Sequence, residues 1–392
     1  MASVKAALKE AGWTFVISRI VIMMLSFLVV SIIPSRGSLS AANCFTSPRS
    51  CVFGWLHFDV LSYIYIAVSG YGTETSTAFF PLWPLLLHVV GAPLGPSVHL
   101  YYLIGIVLAN ILFYLSLVLL YLLTVELFDH TIARKALIYL AFAPYALFFF
   151  IGYTESLFLV LCLATFFCLQ RAAKYGNLVY WWSAGLCGLL AALTRSQGFL
   201  LSVPFIVVFA QRYLVASKIQ LTAWREKMMA LLPILLIPLG VLIYMGYLWY
   251  AKGDPLLFSK AEAVDWNRAF RYPWVGIHDA LHALFVPGPL QISNAINISS
   301  FFVSAIILGS NWKRLPLHYA LFAMVLIIFP LCYPIGTIDA LSAIPRYMLI
   351  VFPVVIISAS WKQQRLATLC LAVSLALFTF NVMLFICHYW VA

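Results

Sequence analysis

Charged side chains are scarce in this sequence of 392 residues. Asp, Glu, Lys and Arg together make up 9% of the chain, against about a quarter of an average soluble domain. Hydrophobic residues make up 64%. A soluble fold needs a charged surface and a disordered chain needs low hydrophobicity, so the composition excludes both classes. It predicts an all-α polytopic membrane protein instead.

The sequence also lacks the short motifs of several enzyme classes. There is no Walker loop, no GxGxxG and no GxSxG, which argues against ATPases, nucleotide-sugar enzymes with Rossmann halves and serine hydrolases. There is no DxD, no HExxH and no cluster of histidines and carboxylates, so we predict no metal site and no cofactor. The 23 Lys and Arg outnumber the 12 Asp and Glu, but without a basic run or zinc-finger spacing we predict no nucleic-acid partner.

The eight cysteines form no CxxC pair, which disfavours metal and thioredoxin-like sites. Most lie in apolar runs, where cysteine behaves as a small hydrophobic residue. Cys44 and Cys51 share one loop. A disulfide between them is one interpretation if that loop is extracytoplasmic.

Apolar runs of membrane-spanning character recur along the whole chain. A span needs about 20 apolar residues, and charge, Pro and Gly bound the runs. We find no fixed-period repeat and no matching halves, unlike transporters built from inverted repeats. The pattern predicts a single transmembrane domain over residues 1–392 with about 11 spans, near 13–33, 98–124, 136–151, 156–170, 179–194, 198–215, 229–250, 291–310, 318–333, 347–360 and 366–388.

The basic residues predict an orientation for these spans. With a cytoplasmic N-terminus, 14 of the 23 Lys and Arg fall in inner segments and eight in outer ones, as the positive-inside rule requires. Arg19 lies within the first span. This arrangement gives two long outer loops, 34–97 and 251–290. The first contains an amphipathic stretch at 56–69 and a short apolar stretch at 79–90, both predicted to be interfacial helices.

Asp59 is the candidate catalytic residue of the first outer loop. It follows Trp55, His57 and Phe58 and opens the stretch predicted as an interfacial helix. One interpretation is a helix N-cap. The other is a general base that takes a proton from a sugar hydroxyl at the membrane surface.

Several basic residues at the outer face are candidate phosphate ligands. Arg195 lies in ALTRSQG between two predicted spans, and Arg346 lies in SAIPRYMLIVFP just before another. A guanidinium donates to a phosphate in a bidentate manner, and the alternative for both positions is snorkelling or helix capping. Lys260 and Arg271 belong to a basic and aromatic segment of the second outer loop that suits a phosphate with a sugar beside it.

Five further residues are weaker substrate-binding candidates. Glu155 begins a predicted span, where a capping role is the main alternative. Aromatic residues at this depth are also common interface anchors. The five candidates are His57, Glu155, Trp266, Arg268 and Tyr347.

Six segments, in the same order along the chain, resemble the PIG-V-like mannosyltransferases. This family comprises the GPI mannosyltransferase II group and its prokaryotic relatives in the GT-C superfamily. The resemblance covers about residues 13–360. The segments are FDVLSYIYIAVSGYG at 58–72, FFPLWPLL at 79–86, TESLF at 154–158, ALTRSQGFL at 192–200, GDPLLF at 253–258 and PRYMLIVFP at 345–353.

The resemblance implies a multi-span, GT-C-like glycosyltransferase of the extracytoplasmic face. Such enzymes transfer a sugar, here mannose, from a polyprenyl- or dolichyl-phosphate donor. Their catalytic carboxylate lies in the first outer loop, which Asp59 matches. The family often has Trp where this chain has Phe58. The compact chain is similar to the prokaryotic relatives, which implies a prokaryotic cell membrane; in a eukaryote the membrane would be that of the ER.

The resemblance and the charged residues together predict an inverting transfer. Asp59 would deprotonate the acceptor hydroxyl, and Arg195, Arg346 and Lys260 or Arg271 would stabilise the departing phosphate. The acceptor is a lipid, a glycan or a protein. Two alternatives stay open: a transporter or flippase of lipid-linked sugars, and a non-catalytic membrane assembly subunit.

Overall fold

The computed structural model describes residues 4–32, 53–215, 224–288, 290–337 and 339–391. Within these ranges the chain is helical and has no β-strand, only an isolated bridge between Arg268 and Ile335. The predicted all-α class is therefore confirmed. Cys44 and Cys51 lie outside the described residues, as does the part of the first outer loop before residue 53.

Short 3₁₀ turns connect many of the α-helices, which we number in chain order. The helices are α1 (Val4–Ile32), α2 (Asp59–Ser69), α3 (Leu82–Gly91), α4 (Val98–Leu127), α5 (His130–Ala141), α6 (Glu155–Tyr175), α7 (Leu178–Thr194), α8 (Ser202–Ala210), α9 (Trp224–Leu231), α10 (Leu236–Lys252), α11 (Leu257–Asp265), α12 (Pro273–Ala283), α13 (Gln291–Asn311), α14 (Leu317–Ile328), α15 (Ile344–Met348), α16 (Phe352–Ala359) and α17 (Gln364–Ile386).

Seven helical segments of the described chain are long and apolar enough to cross a membrane. Each coincides with a predicted span, so the protein is multi-pass. The other four predicted spans, 136–151, 179–194, 318–333 and 347–360, correspond to shorter helices. The total of about 11 spans stays a prediction. The seven segments are Val4–Ile32, Val98–Leu127, Glu155–Tyr175, Ser196–Val215, Trp224–Lys252, Gln291–Arg314 and Gln364–Ile386.

Both predicted helices of the first outer loop are present, with different starting points. The helix predicted over 56–69 begins at Asp59, because the preceding residue Phe58 has a φ of +54° and cannot be helical. The apolar stretch at 79–90 forms α3, which begins at Leu82. The second outer loop contains α11 and α12, which the sequence analysis did not predict. The interfacial position of the loop helices stays a prediction.

The chain forms two compact units. The first comprises residues 1–70, 84–156 and 358–392. Within it, α1 packs against α4, α5 and α17, and α2 packs against α4. The packing of its buried face fixes α2, which begins with Asp59, within this unit. That face consists of Val60, Tyr63, Ile64, Ile66 and Ala67.

The second unit comprises residues 71–83 and 157–357. Its main helix pair is α7 with α10. Glycines let the two backbones approach closely, since a Cβ added at Gly240 would lie 2.4 Å from the carbonyl oxygen of Leu189. This unit carries Arg195, Arg268 and Arg346. Organisation as one transmembrane domain stays a prediction.

Candidate functional site

A cavity of about 360 Å³ lies within the second unit, at the lower end of the volumes that bind small ligands. Its wall combines aromatic rings with a smaller set of polar side chains, which is the usual make-up of a ligand site. The lining residues include Phe80, Phe199, Phe258, Phe329, Tyr333 and Tyr347, with Ser196, Gln197, Ser259, Glu262, Arg268 and Ser342 as the polar members.

Arg268 is the basic residue of this wall. Its Nη1 donates to the phenol oxygen of Tyr347 at 2.7 Å and lies 3.7 Å from a carboxylate oxygen of Glu262. Its Nη2 lies 3.5 Å from the carbonyl oxygen of Ser342. The structure therefore brings together two residues that the sequence analysis named separately, Arg268 and Tyr347. It adds Glu262, which that analysis did not include among the candidates.

The environment of Arg268 keeps its guanidinium charged. Burial acts to lower its pKa, but Tyr347 and Glu262 raise it and outweigh burial, so the pKa is raised overall. Arg346 is close enough to oppose this by charge repulsion. Arg346, predicted as a phosphate ligand, and Arg268, predicted as a weaker substrate-binding residue, are thus close enough to repel each other. A charged, half-buried guanidinium is a strong hydrogen-bond donor to phosphate oxygens.

The turn at residues 195–198 supplies another part of the wall. Arg195 has an extended backbone between α7 and the 3₁₀ segment Ser196–Leu201, and its carbonyl oxygen accepts from the Gly198 N–H at 2.9 Å. A Cβ at Gly198 would lie 2.2 Å from the backbone nitrogen of Ala192, so only glycine fits there. Ser196 and Gln197 line the cavity, whereas Arg195 lies next to the lining residues.

Arg346 is buried in the short helix α15, whose neighbours Ile344 and Tyr347 line the cavity. The helix is preceded by Ala343, which has a φ of +66°. This conformation is costly for a residue with a Cβ. Arg346 itself does not line the cavity.

Three candidates of the second outer loop lie outside the cavity wall. Lys260 is exposed and forms an ion pair with Asp254. The hydrogen bond from Lys260 is the main cause of the lowered pKa of the Asp254 carboxyl. Arg271 is also exposed, and its Nη1 lies 3.9 Å from an Asp279 oxygen. Trp266 is half-buried and contacts Phe79 edge-on at a centroid distance of 5.9 Å. The structure therefore does not bring these three residues to the cavity.

Asp59 lies in the first unit as the first residue of α2, and its side chain is partly exposed. A carboxylate in the first turn is favoured by the positive end of the helix dipole. The N-cap of α2 is Phe58, so Asp59 does not occupy the N-cap that the sequence suggested but the first helical position. Its role as a general base stays a prediction.

An aromatic cluster holds the segment before Asp59. The His57 ring stacks on the ring of His388 at 4.4 Å, and Phe58 meets the edge of Trp390 at 5.1 Å. Phe385 contacts both His57 and Phe58. The pKa of His57 is lowered to about 4, mainly by burial and next by the charge of His388. Burial also lowers the pKa of His388. The sequence analysis missed His388 and Trp390, since they lie some 330 residues further on and match no motif.

Glu155 begins α6 and is fully buried, as are its neighbours Thr154 and Ser156. The position agrees with the predicted span start. A buried carboxylate at the first turn of a helix gains from the helix dipole, although a titratable group at membrane depth remains a functional candidate. It lies in the first unit, with Asp59.

Strained backbone occurs at both groups of candidate residues. Among the described residues, the non-glycine positions with positive φ are Phe58, Asn267, Ala343 and His388. Phe58 and Asn267 directly precede Asp59 and Arg268, and Ala343 is three residues before Arg346. His388 stacks on His57. Such strain costs roughly 1–3 kcal/mol and tends to occur at functional sites, which supports this choice of residues.

The described residues contain no group of three or more histidine, cysteine, aspartate or glutamate side chains placed to hold a metal ion. The absence of a metal or other cofactor from the reaction stays a prediction.

The spans and the helical fold together define a multi-pass membrane protein. Its sequence matches the family model of the PIG-V mannosyltransferases over residues 9–266, about two thirds of the chain. The chain therefore belongs to the PIG-V mannosyltransferase family, as the resemblance of its segments implied. The matched range includes Asp59, Glu155 and Arg195.

Two curated relatives share this match. The chain is 26% identical to GPI mannosyltransferase 2 of Schizosaccharomyces pombe over 283 residues, covering 68% of this chain and 58% of the relative. It is 26% identical to GPI mannosyltransferase 2 of Drosophila pseudoobscura over 302 residues, covering 71% and 63%. The chain thus spans about three fifths of these relatives. Its prokaryotic origin stays a prediction.

Solved structures of the Archaeoglobus fulgidus oligosaccharyltransferase are also similar to this chain, at lower sequence identity than the two curated relatives. The apo form has a TM-score of 0.44 and 13% identity, covering 95% of this chain and 56% of that one. The complex with an inhibitory peptide and a dolichol-phosphate has a TM-score of 0.41 and 14% identity, covering 94% and 55%. At these scores the likeness does not define the fold of this chain, and the GT-C architecture stays a prediction.

Proposed function

We propose that this protein is a membrane glycosyltransferase that moves mannose from a polyprenyl- or dolichyl-phosphate donor to a hydroxyl of a lipid, glycan or protein acceptor. The observation that carries the proposal is the family match over residues 9–266, which includes Asp59. The cavity beside Arg268 supports it, because a guanidinium next to aromatic rings suits a phosphate that carries a sugar.

The proposed reaction is a single inverting displacement. Asp59 accepts the proton of the acceptor hydroxyl while that oxygen attacks the anomeric carbon of the donor. The bond between the anomeric carbon and the phosphate oxygen breaks, and its electron pair leaves with the polyprenyl phosphate. One glycosidic bond forms, one sugar–phosphate bond is lost, and the proton ends on the Asp59 carboxylate. No oxidant or other co-reactant is needed.

Arg268 is the proposed principal phosphate ligand. Its hydrogen bond with Tyr347 fixes the guanidinium, and its raised pKa keeps the positive charge available as the leaving group gains negative charge. Arg195 and Arg346 are proposed to add to the positive field from positions next to lining residues. Lys260 and Arg271 take no part in this proposal, since each has an acidic neighbour outside the cavity.

The aromatic part of the wall is proposed to bind the sugar. Phe258, Tyr333 and Tyr347 offer ring faces and edges, and Gln197 and Glu262 offer hydrogen-bonding groups for hydroxyls. A cavity of about 360 Å³ suits a sugar-phosphate head group, with the lipid tail in the bilayer. The distribution of basic residues favours an extracytoplasmic reaction and a cytoplasmic N-terminus.

The test uses purified protein in lipid nanodiscs. Radiolabelled polyprenyl-phosphate-mannose and GDP-mannose are supplied separately, with a membrane lipid extract as acceptor pool. We expect label to leave the polyprenyl donor and to stay on GDP-mannose. Arg268→Met should reduce donor consumption by about 10²-fold, as loss of one oxyanion-stabilising donor does. Lys260→Met is the matched control and should resemble wild type, because Lys260 is exposed.

The same protein in sealed vesicles separates the two alternatives. A flippase would carry the labelled donor across the bilayer without cleaving it. A non-catalytic subunit would do neither. Donor that crosses uncleaved, or donor that is unchanged with every acceptor pool, would contradict the proposed transfer.

A further inference from the structure

Arg19 is a buried arginine at the middle of the spanning helix α1. Its exposed fraction is 8%, and none of its three side-chain nitrogens has a hydrogen-bond partner among the described residues. The guanidinium lies instead over three aromatic rings, with its Cζ at 4.5 Å from the Phe113 centroid, 5.2 Å from Phe15 and 5.8 Å from Phe150. The proposed function gives this residue no role.

An arginine in this position is expensive. An ionisable side chain at the centre of a span costs several kcal/mol, and cation–π contacts recover roughly 2 kcal/mol each when desolvated. An apolar residue of similar size would pack without that cost, and replacing buried charges by apolar groups is often neutral or stabilising. The choice of arginine therefore points to a role beyond packing.

Phe150 connects Arg19 to the rest of the first unit. Its ring lies under the guanidinium, and its carbonyl oxygen accepts from the Asn110 side-chain nitrogen at 3.0 Å. On another side, the ring meets Trp55 edge to face at 5.3 Å. Phe150 is thus held at its backbone by Asn110 and at its ring by Arg19, with Trp55 as the next neighbour.

Trp55 in turn fixes the backbone segment that leads to Asp59. It is almost fully buried and stacks on Phe385, and its carbonyl oxygen accepts from the His57 N–H at 3.1 Å. Phe58 then adopts its strained positive φ, and α2 begins at Asp59. Strain of this kind persists only where the surroundings hold the segment firmly.

We propose that Arg19 is a positioning residue for Asp59, acting through the contacts from Phe150 to Trp55. This inference rests on the proposed function, because it assumes that Asp59 is the general base. The guanidinium fixes the Phe150 ring, the ring fixes Trp55, and Trp55 sets the turn that carries the carboxylate. A displacement of about 1 Å at a reacting group can cost 10²-fold in rate.

The kinetic test compares Arg19→Met, Phe150→Leu and the double variant by mannose transfer from polyprenyl-phosphate-mannose. Each single variant should lower kcat by about 10- to 100-fold with KM nearly unchanged, because donor binding is assigned to the second unit. The double variant should lose no more than the worse single one, since both act along one line of contacts. Arg134→Met is the matched control, as it removes an exposed charge that pairs with Glu10.

A second measurement does not depend on activity. Asp59→Cys is alkylated with a membrane-impermeant maleimide, both in the protein with Arg19 and in Arg19→Met. The labelling of the wild-type protein is subtracted, so that only the introduced cysteine is measured. We expect the labelling rate to change severalfold with Arg19→Met and not with Arg134→Met. An unchanged labelling rate and kcat would overturn the inference, and so would loss of folding in Arg19→Met, because Arg19 would then be purely structural. If wild type transfers no mannose but labelling still depends on Arg19, the proposed function fails and the positioning contact stands.

Discussion

The guanidinium Nη1 of Arg268 lies 2.7 Å from the phenol oxygen of Tyr347, although 79 residues separate them. One comes from the loop after α11 and the other from α15. The contact joins two distant stretches of the second unit at the wall of its cavity. It fixes the orientation of the guanidinium that we propose as the ligand of the donor phosphate.

Replacing Tyr347 by phenylalanine tests this contact with little change of shape. A hydrogen bond to a charged group contributes about 1.5–3 kcal/mol, so kcat/KM for the polyprenyl donor should fall by about 10- to 100-fold. Steady-state transfer kinetics measure the change. Tyr250→Phe removes a phenol from an exposed residue of α10 and should be indistinguishable from wild type. Equal kcat/KM for Tyr347→Phe and wild type would rule out a role for the contact.

Gly198→Ala tests the turn that carries Arg195. The added methyl group would lie 2.2 Å from a backbone nitrogen, so the turn must shift or the protein loses several kcal/mol of stability. We expect a lower thermal midpoint and reduced transfer. Gly246→Ala in α10 is the control, because nothing lies within 4 Å of its added Cβ. A helical glycine replaced by alanine there should gain about 0.5–1 kcal/mol. Similar midpoints for the two variants would contradict the close packing at Gly198.

The stacked histidines predict a pH dependence of stability. The pKa of His57 in the folded state is lowered to about 4, mainly by burial and next by the charge of His388, whereas an unfolded histidine has its ordinary pKa of 6.5. Between these values the unfolded state binds more protons, so stability rises with pH. The contribution is complete above about pH 6.5 and is lost as the pH falls towards 4.

Thermal unfolding in nanodiscs between pH 7.5 and 5 checks this expectation. His57→Phe should keep the ring stack and reduce the fall in midpoint. His278→Gln, at an exposed position of α12, should leave the pH dependence unchanged. If His57→Phe and wild type respond to pH alike, the stacked pair does not contribute.

Hydropathy located the spans well because a long apolar run needs no tertiary information. The seven long spanning segments coincide with predicted runs. It did not show the break within the predicted span 347–360, where the chain leaves the helix after Met348 and re-enters it at Phe352. Leucine, isoleucine and valine fill this break, so hydropathy does not register it. Pro353 was the available signal, since proline favours the first turn of a helix over its interior.

The site was only partly accessible to sequence reasoning, because its contacts are long-range. The ion pairs of Lys260 and Arg271 involve carboxylates six and eight residues away, but Arg268 lies near Glu262 at the same spacing of six, so spacing alone does not separate the cavity residue from the others. The hydrogen-bond partner of Arg268, Tyr347, lies too far along the chain for any spacing rule. The strained conformation of Phe58 and its contact with Trp390 likewise depend on tertiary packing.

The most direct test of the account is mannose transfer by Asp59→Asn. Amide replacement keeps the size of the side chain and removes the base, so transfer from polyprenyl-phosphate-mannose should fall by at least about 10²-fold while donor binding and the thermal midpoint are kept. Glu74→Gln, an exposed acid between α2 and α3, is the matched control and should transfer like wild type. An Asp59→Asn protein that transfers mannose at the wild-type rate would show that Asp59 only begins a helix, and the proposed mechanism would be wrong.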